Sequence, residues 1–188
     1  MNKLQRNSIC SAILVALGLP AFGRANTITV DGTTCTLANA IPSAQFNASI
    51  GNCAAGAGAD TIVIEADQTL PSDQFLHSTI HFVGAGTPAP TITGPASNRL
   101  FWIGSPSSGP TISFENLTLS GGGALGGAGV SGGGGGAGLG GAVVVFDGNV
   151  SFDHVVFDNN AAIGGNGSNS IGNATGGGGG GGSGGDGG

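Results

Sequence analysis

The chain has 188 residues, of which 41 are glycine, and only 7% of them are charged. Ten acidic residues against four basic ones give a formal net charge of −6. This balance excludes a nucleic-acid-binding protein, which needs a basic surface to neutralise phosphates. The low charge content excludes a helical bundle or coiled coil. A mean hydropathy of +0.25 excludes a charged, disordered chain.

Residues 1–25 have the features of a secretory signal peptide. Lys3 and Arg6 form a basic start, an apolar run covers 9–19, and small residues lead to Ala25. The apolar run is too short for a membrane-spanning helix, which needs about 20 residues. Removing this segment leaves one basic residue, Arg99, and ten acidic ones, for a net charge of −9 (1 − 10). The sequence therefore predicts an exported, acidic protein at the cell surface, at the outer membrane or outside the cell.

Residues 26–60 are predicted to form a disulfide-tied N-terminal cap. In an oxidising compartment Cys35 and Cys53 are expected to pair, which stabilises the fold by about 3 kcal/mol through loop entropy. A zinc site is the alternative, but neither cysteine has a Cys or His partner at ligand spacing nearby. Between them, residues 36–46 predict a short helix because their apolar positions share one face, although Pro42 fits a helix poorly.

Residues 61–163 are predicted to form short β-strands separated by Gly and Pro turns. The β-branched segments of the folded part are Thr27–Val30, Thr61–Ile64, Thr79–Val83, Thr91–Thr93, Leu100–Ile103, Thr111–Phe114 and Leu117–Leu119. Strands recur at intervals of about 20 residues, which is typical of a solenoid. A β-sandwich is the alternative, but its hairpins favour Asn-Gly and Asp-Gly turns, which are scarce here.

An internal repeat favours the solenoid. Residues 112–120 (ISFENLTLS) match residues 150–158 (VSFDHVVFD) position by position, at an offset of 38 (112 to 150). We interpret this offset as two coils of about 19 residues. In each copy the alternation of apolar residues changes phase after an acidic and a polar residue, which predicts a corner at that point.

Glycine dominates the C-terminal part of the chain, because 30 of the 41 glycines follow residue 120. Residues 121–141 are expected to form a Gly-rich insertion between coils. Residues 164–188 are expected to form a Gly-rich, disordered tail. Two stretches of this tail approximate calcium-binding nonapeptides, but they do not follow one another in tandem, so no metal or other cofactor is predicted.

Several segments resemble families of secreted bacterial β-helix proteins. Residues 35–41 (CTLANAI), Cys53 and residues 58–64 (GADTIVI) resemble the CSLREA segment, although Ala38-Asn39 replaces its usual Arg-Glu pair. Residues 140–143 (GGAV) and 157–160 (FDNN) resemble the GGA(I/L/V) and FxxN motifs of the polymorphic outer membrane protein repeat. The resemblance implies an autotransporter-like passenger that folds as a right-handed parallel β-helix and works in adhesion.

The resemblance also implies roles for the motif residues. Gly140, Gly141 and Ala142 would allow a tight corner before Val143, because larger side chains would collide with the next coil. In the second motif, Phe157 would enter the core. The side chain of Asn160 would bond exposed backbone at a corner.

Trp102 is the large aromatic residue that the sequence offers for surface binding. It alternates with Phe101 and Ile103, so it faces outward if those two lie in the core. An outward Trp102 could stack on a sugar or on a partner protein. A local bend that buries Trp102 is the alternative.

Acidic residues give a weaker indication of catalysis. Glu115 is expected near Asp153 if the repeat copies stack, and glycoside hydrolysis needs two carboxylates at one cleft. We prefer solvent-facing corner positions for these residues and for Asp158. The histidines have no recognisable nucleophile beside them, and His81 is expected to face outward from its strand. No catalytic residue is predicted.

These observations favour an all-β, right-handed parallel β-helix with a short helical cap and a Gly-rich tail. The predicted function is non-catalytic adhesion or surface display, with a glycan or protein on a host or other surface as ligand. A monomer is expected, and association with the outer membrane is expected only through sequence downstream of this chain. One alternative is the N-terminal part of a carbohydrate-active, pectin-lyase-like enzyme. Another is a passive Gly-rich envelope protein.

Overall fold

A computed structural model describes residues 25–130 and 132–169. Except for Ala25, the predicted signal peptide lies outside these residues, as does the predicted tail beyond residue 169. The described chain is mostly β, with one short helix. The expected all-β class is therefore confirmed.

Twelve strands and one helix follow one another along the described chain. The helix, α1, covers Leu37–Phe46. The strands are β1 Thr27–Val30, β2 Asp60–Ile64, β3 Gln68–Thr69, β4 Gln74–Leu76, β5 Ile80–Gly84, β6 Thr91–Thr93, β7 Phe101–Ile103, β8 Thr111–Ser120, β9 Gly123–Leu125, β10 Val143–Val145, β11 Asn149–Asp158 and β12 Ala161–Ile163.

All pairings between these strands are parallel. The largest sheet has the order β1-β2-β5-β8-β6-β3, and β11 joins it by pairing with β8. Two smaller sheets have the orders β10-β7-β4 and β12-β9. Antiparallel hairpins, which a β-sandwich requires, are absent from these strand pairs. The sandwich alternative is therefore wrong for the described residues.

The register corrects the interpretation of the internal repeat. Ile112 pairs directly with Val150, so the offset of 38 separates neighbouring strands rather than strands two coils apart. From β1 through β2 and β5 to β8, the steps are 34, 20 and 32 residues (27 to 61, 61 to 81, 81 to 113). A regular period near 20 is therefore wrong. Connections of different length are tolerated because loop-closure entropy grows only slowly with length.

Alternation along the strands places one set of side chains in a common core. Within the large sheet, Phe82, Phe114 and Phe152 occupy the same register on neighbouring strands. Their rings stack nearly parallel, with centroids 5.0 and 5.3 Å apart. Phe101, on β7 of the three-stranded sheet, also packs on Phe114, with ring centroids 5.1 Å apart. Parallel pairing in register therefore converts a period-2 pattern into a continuous aromatic stack.

The predicted corner within each repeat is confirmed. β8 and β11 are ten-residue strands that change direction at Asn116 and His154, whose φ angles are 51° and 50°. Asn tolerates this left-handed conformation better than most residues. The Asn116 side chain also donates to the carbonyl oxygens of Gly84 and Gly86, at 2.8 and 3.2 Å. One residue at a positive φ reverses which alternate side chains face the core, which explains the change of phase.

The predicted helix and disulfide are both present. Cys35 and Cys53 are bonded, with their Cα atoms 4.8 Å apart. The helix buries its apolar face and contacts β1, β2 and β4, although Pro42 lies inside it. Its first turn is tied to the sheet by Gln68, whose side-chain oxygen accepts from the Leu37 N–H at 3.0 Å. This distant glutamine replaces a local N-cap side chain, since none bonds the helix start.

The loop before the helix is organised by Asp31. One of its carboxylate oxygens accepts from the backbone N–H groups of Thr33, Thr34 and Cys35 at 2.8, 2.7 and 3.1 Å. These bonds, led by the one from Thr33, hold the pKa of Asp31 well below its usual range. The ionised carboxylate thus fixes the approach to the disulfide.

The Gly-rich segments form close backbone contacts. Gly126 donates to the carbonyl oxygen of Ile163, and Gly165 donates to that of Gly136, both at 2.8 Å. A Cβ atom on Gly165 would collide with the Gly127 carbonyl oxygen, so this packing requires glycine. The expectation of disorder is therefore wrong for residues 164–169. The predicted insertion is also more than a loop, because it contributes β9.

Candidate functional site

Three outward side chains form a row across the three-stranded sheet β10-β7-β4. Phe75 of β4, Trp102 of β7 and Val144 of β10 share one register position. The rings of Phe75 and Trp102 have centroids 6.0 Å apart and planes inclined by 36°. We call these three residues the aromatic row. It presents a continuous apolar surface on a side of the molecule rather than in a pocket.

The outward position of Trp102 follows from the burial of its neighbours. Phe101 and Ile103 are fully buried, while Trp102 is only half-buried. This observation selects the outward alternative that the sequence left open. Phe75 is 59% exposed beside it. Both rings are therefore accessible to a ligand that approaches this face.

Arg99 lies beside the aromatic row. Its guanidinium carbon lies 5.3 Å from the centroid of the Trp102 ring, which is cation–π distance. Its Nε donates to the Leu139 carbonyl oxygen at 2.7 Å, and this bond orients the side chain. Arg99 is also the single basic residue of the described chain. A positive charge therefore lies beside apolar rings on an otherwise acidic protein.

The sequence analysis missed Phe75. Residues 74–76 (QFL) contain no β-branched residue, and the turn-forming Ser72 and Asp73 precede them. The alternation of the exposed Phe75 with the buried Leu76 was the available signal. Only the pairing of β4 with β7 places Phe75 beside Trp102.

A second group of polar side chains lies on the outer face of the large sheet. Glu115 and Asp153 are register partners, so the expected proximity of these acids is confirmed. His81 contacts Glu115 at 3.2 Å, and His154 contacts Asp153 at 2.7 Å. All four side chains are at least 41% exposed, so solvent screens the charges of the two carboxylates. Across the described residues, no three His, Cys, Asp or Glu side chains gather as a metal site would require.

The first repeat motif lies at a corner, as its composition implied. Gly140 has a φ of 63°, and a Cβ atom on Gly141 would lie 2.6 Å from the Ala161 carbonyl oxygen. Ala142 is buried, and Val143 begins β10. Small residues are therefore needed where the chain enters the small sheet.

In the second repeat motif, Asn160 makes the expected backbone contacts, but Phe157 is not buried as expected. The Asn160 side chain donates to the Leu119 carbonyl oxygen and accepts from the Gly122 N–H, both at 2.8 Å. Phe157 points to the core side, as its register partner Leu119 does, but it is 50% exposed. The prediction of a buried Phe157 is wrong, because no described strand covers β11 on its other side.

The described residues contain no helix long and apolar enough to cross a membrane. Comparison with protein-family models, with curated proteins and with solved structures finds no match for this chain.

Proposed function

We propose that this chain is an exported, non-catalytic surface protein that binds a ligand through its aromatic row. In this proposal the parallel strands belong to successive coils of a right-handed β-helix. The protein acts in adhesion or surface display at the outer membrane or outside the cell. The observation that carries the proposal is the alignment of Phe75, Trp102 and Arg99 on one lateral face.

Strand pairing supports the solenoid. Parallel neighbours need a crossover connection. Here the chain passes through at least one strand of a smaller sheet between β2 and β5, between β5 and β8, and between β8 and β11. Between β5 and β8, for example, it passes through β6 and β7. A coil that winds past several faces produces this order, and stacking then buries an apolar stripe that no coil buries alone.

The chemistry of the row favours a carbohydrate ligand. Pyranose rings present C–H faces that stack on aromatic side chains, and two rings on neighbouring strands offer consecutive stacking positions. The Arg99 guanidinium can donate to hydroxyl or carboxylate oxygens of the same sugar chain. A row on an open face suits a repeating polymer better than a small molecule, which needs a concave pocket.

Binding to a glycan array, followed by calorimetry on the glycans that bind, tests this proposal. Phe75→Ala and Trp102→Ala should each weaken binding at least about fivefold, since a stacked aromatic residue contributes on the order of 1 kcal/mol or more. Phe46→Ala is the matched control, because Phe46 is similarly exposed, at 64%, but lies outside the row. Binding that is unchanged in both row variants would refute the proposed site.

The paired acids support a second candidate, the carbohydrate-active enzyme. Glu115 and Asp153 lie on neighbouring strands, where carboxyl groups can approach the separation of about 5 Å used by retaining glycosidases. Hydrolysis of a pectin or glycan panel that is abolished by Asp153→Asn and by Glu115→Gln would favour this candidate over adhesion. Neither binding nor hydrolysis would favour the passive envelope protein.

A further inference from the structure

The last strands of the described chain leave a long apolar edge. Within the described residues, β10, β11 and β12 each pair on one side only. Their core-facing side chains are exposed as a result, with Val145 at 47%, Phe152 at 42% and Phe157 at 50%. A groove of about 320 Å³ opens between these three residues. We call the free side of the three strands the open edge.

Backbone groups at the open edge follow a definite pattern. The Asn149 N–H donates toward β8, to the Pro110 carbonyl oxygen, and the Asp158 carbonyl oxygen accepts from Gly121 in the same sheet. Since hydrogen-bonding direction alternates along a strand, the opposite set points away from β8. This set is Val150, Phe152, Val155 and Phe157. The same residues carry the core-facing side chains.

In the short strands β10 and β12, the residues with free backbone groups are again the ones whose side chains face the core. Phe146 N–H donates to Ile103, so the backbone groups of Val145 point to the open edge. Ala161 N–H donates to Gly122, so those of Ala162 do the same. Val145 and Ala162 are also core-facing, as the burial of their register partners Ile103 and Ala124 indicates.

These positions are symmetric about the peptide bond between Asp153 and His154. Phe152 and Val155 lie at equal distances from it along the chain, and so do the pairs Val150 with Phe157 and Val145 with Ala162. The corner of β11 lies at the same centre, because His154 has the positive φ. A two-fold axis through this point would place each core-facing residue of β11 opposite a core-facing residue of a second β11.

We propose that two copies of this chain dock through their open edges, with β11 of one copy antiparallel to β11 of the other. Such an isologous contact uses the same patch on both subunits. In this contact β11 pairs with the β11 of the second copy, and β10 pairs with its β12. Core-facing side chains then meet core-facing side chains, and free N–H groups meet free carbonyl groups. The two cores then become continuous, and the exposed phenylalanines are covered.

Charge agrees with this register. Asp153 lies opposite the partner's His154, and Asn149 lies opposite the partner's Asp158. No two carboxylates are direct neighbours across the axis, although the protein is strongly acidic. A shift by one residue would place core-facing side chains opposite outward ones. A shift by two would place Phe152 opposite Asp153 in one direction and Val155 opposite His154 in the other, so core-facing side chains would again meet outward ones.

Sedimentation equilibrium of the full chain over a range up to about 100 μM tests the proposal. The expected result is twice the mass of one chain, with a dimer that dissociates on dilution. Phe157→Glu should raise the dissociation constant at least tenfold, because it places a charge in the contact. Phe46→Glu is the control, since Phe46 is also exposed, at 64% against 50% for Phe157, but lies on the helix. A monomer throughout this range would overturn the proposal and support the monomer expected from the sequence.

A crosslink tests the register and does not depend on Phe157→Glu folding. Ser151 would face the partner's Val156 in a non-hydrogen-bonded pair, where Cα atoms are about 4.5 Å apart and a disulfide fits. The double variant Ser151→Cys with Val156→Cys should give a covalent dimer on a non-reducing gel. Ser151→Cys alone is the control. In this variant the residue opposite position 151 is still the partner's Val156, so the two introduced thiols are too far apart to bond. Equal dimer yields from the single and double variants, or none from either, would overturn the register.

Discussion

Removing the ring of Phe114 is the most direct test of the core. Phe114 is 1% exposed and packs against three other phenylalanine rings, with centroids at 5.0, 5.1 and 5.3 Å. Burying a side chain of about 200 Å² at roughly 25 cal/mol per Å² gives about 5 kcal/mol, part of which the remaining Cβ retains. We therefore expect Phe114→Ala to lower the free energy of unfolding by about 3–5 kcal/mol.

Urea denaturation followed by circular dichroism measures this loss. Phe46→Ala removes the same side chain from a position that is 64% exposed, so it should cost about 1 kcal/mol or less. Both proteins are compared at a low concentration, so that association does not contribute to stability. If Phe114→Ala costs no more than Phe46→Ala, the stacked phenylalanine core is refuted.

Three further predictions concern the N-terminal part. Gln68→Leu should lower the free energy of unfolding by about 1–3 kcal/mol in urea denaturation, because it leaves the Leu37 N–H without its acceptor. Reducing the Cys35–Cys53 disulfide, whose sequence separation is 18, should lower the melting temperature and cost about 3 kcal/mol by calorimetry. Asp31→Asn should reduce stability at pH 7. The lowered pKa of Asp31 stabilises the wild-type fold above the ordinary carboxyl pKa, and this stabilisation is lost as pH falls below about 4. Acid titrations of melting temperature should show a smaller decline in Asp31→Asn.

Matched controls accompany these measurements. Gln74→Leu removes a side chain whose bond to Ser72 is solvent-exposed, so its cost should be small beside that of Gln68→Leu. Glu65→Gln, which neutralises an exposed acid outside this loop, is the charge-matched control for Asp31→Asn. An unchanged melting temperature after reduction would contradict the role of the disulfide-tied cap. If the melting temperature of Asp31→Asn falls with decreasing pH just as that of the wild type does, the stabilising role of the ionised Asp31 carboxylate is contradicted.

Local signals in the sequence identified much of the fold. The helix after Cys35, the pairing of Cys35 with Cys53, and most of the strands were predictable from periodicity and spacing. The corner at His154 was predictable as well, because a change of phase in the apolar pattern has few other causes. Each of these features depends on residues close together in the chain.

The candidate site depended on more distant relations. The sequence indicated Trp102 but gave two orientations, and it gave no reason to associate Phe75 with it. Alternation reports which side chains face inward, but it does not report which strand lies next to which. For the same reason the sequence intervals predicted a regular period that the fold does not have. One step between neighbouring strands of the large sheet takes 20 residues, and another takes 38.

Sequence reasoning was thus sufficient to predict the short β-branched strands, the helix, the disulfide and the exclusion of basic binding surfaces. The folded structure was needed to show the strand order, the aromatic row of Phe75, Trp102 and Val144, and the open edge around His154. This difference arises because parallel pairing joins strands that are distant in sequence. Connections of very different length close the same pair at nearly the same entropic cost, so chain spacing leaves the neighbours undetermined.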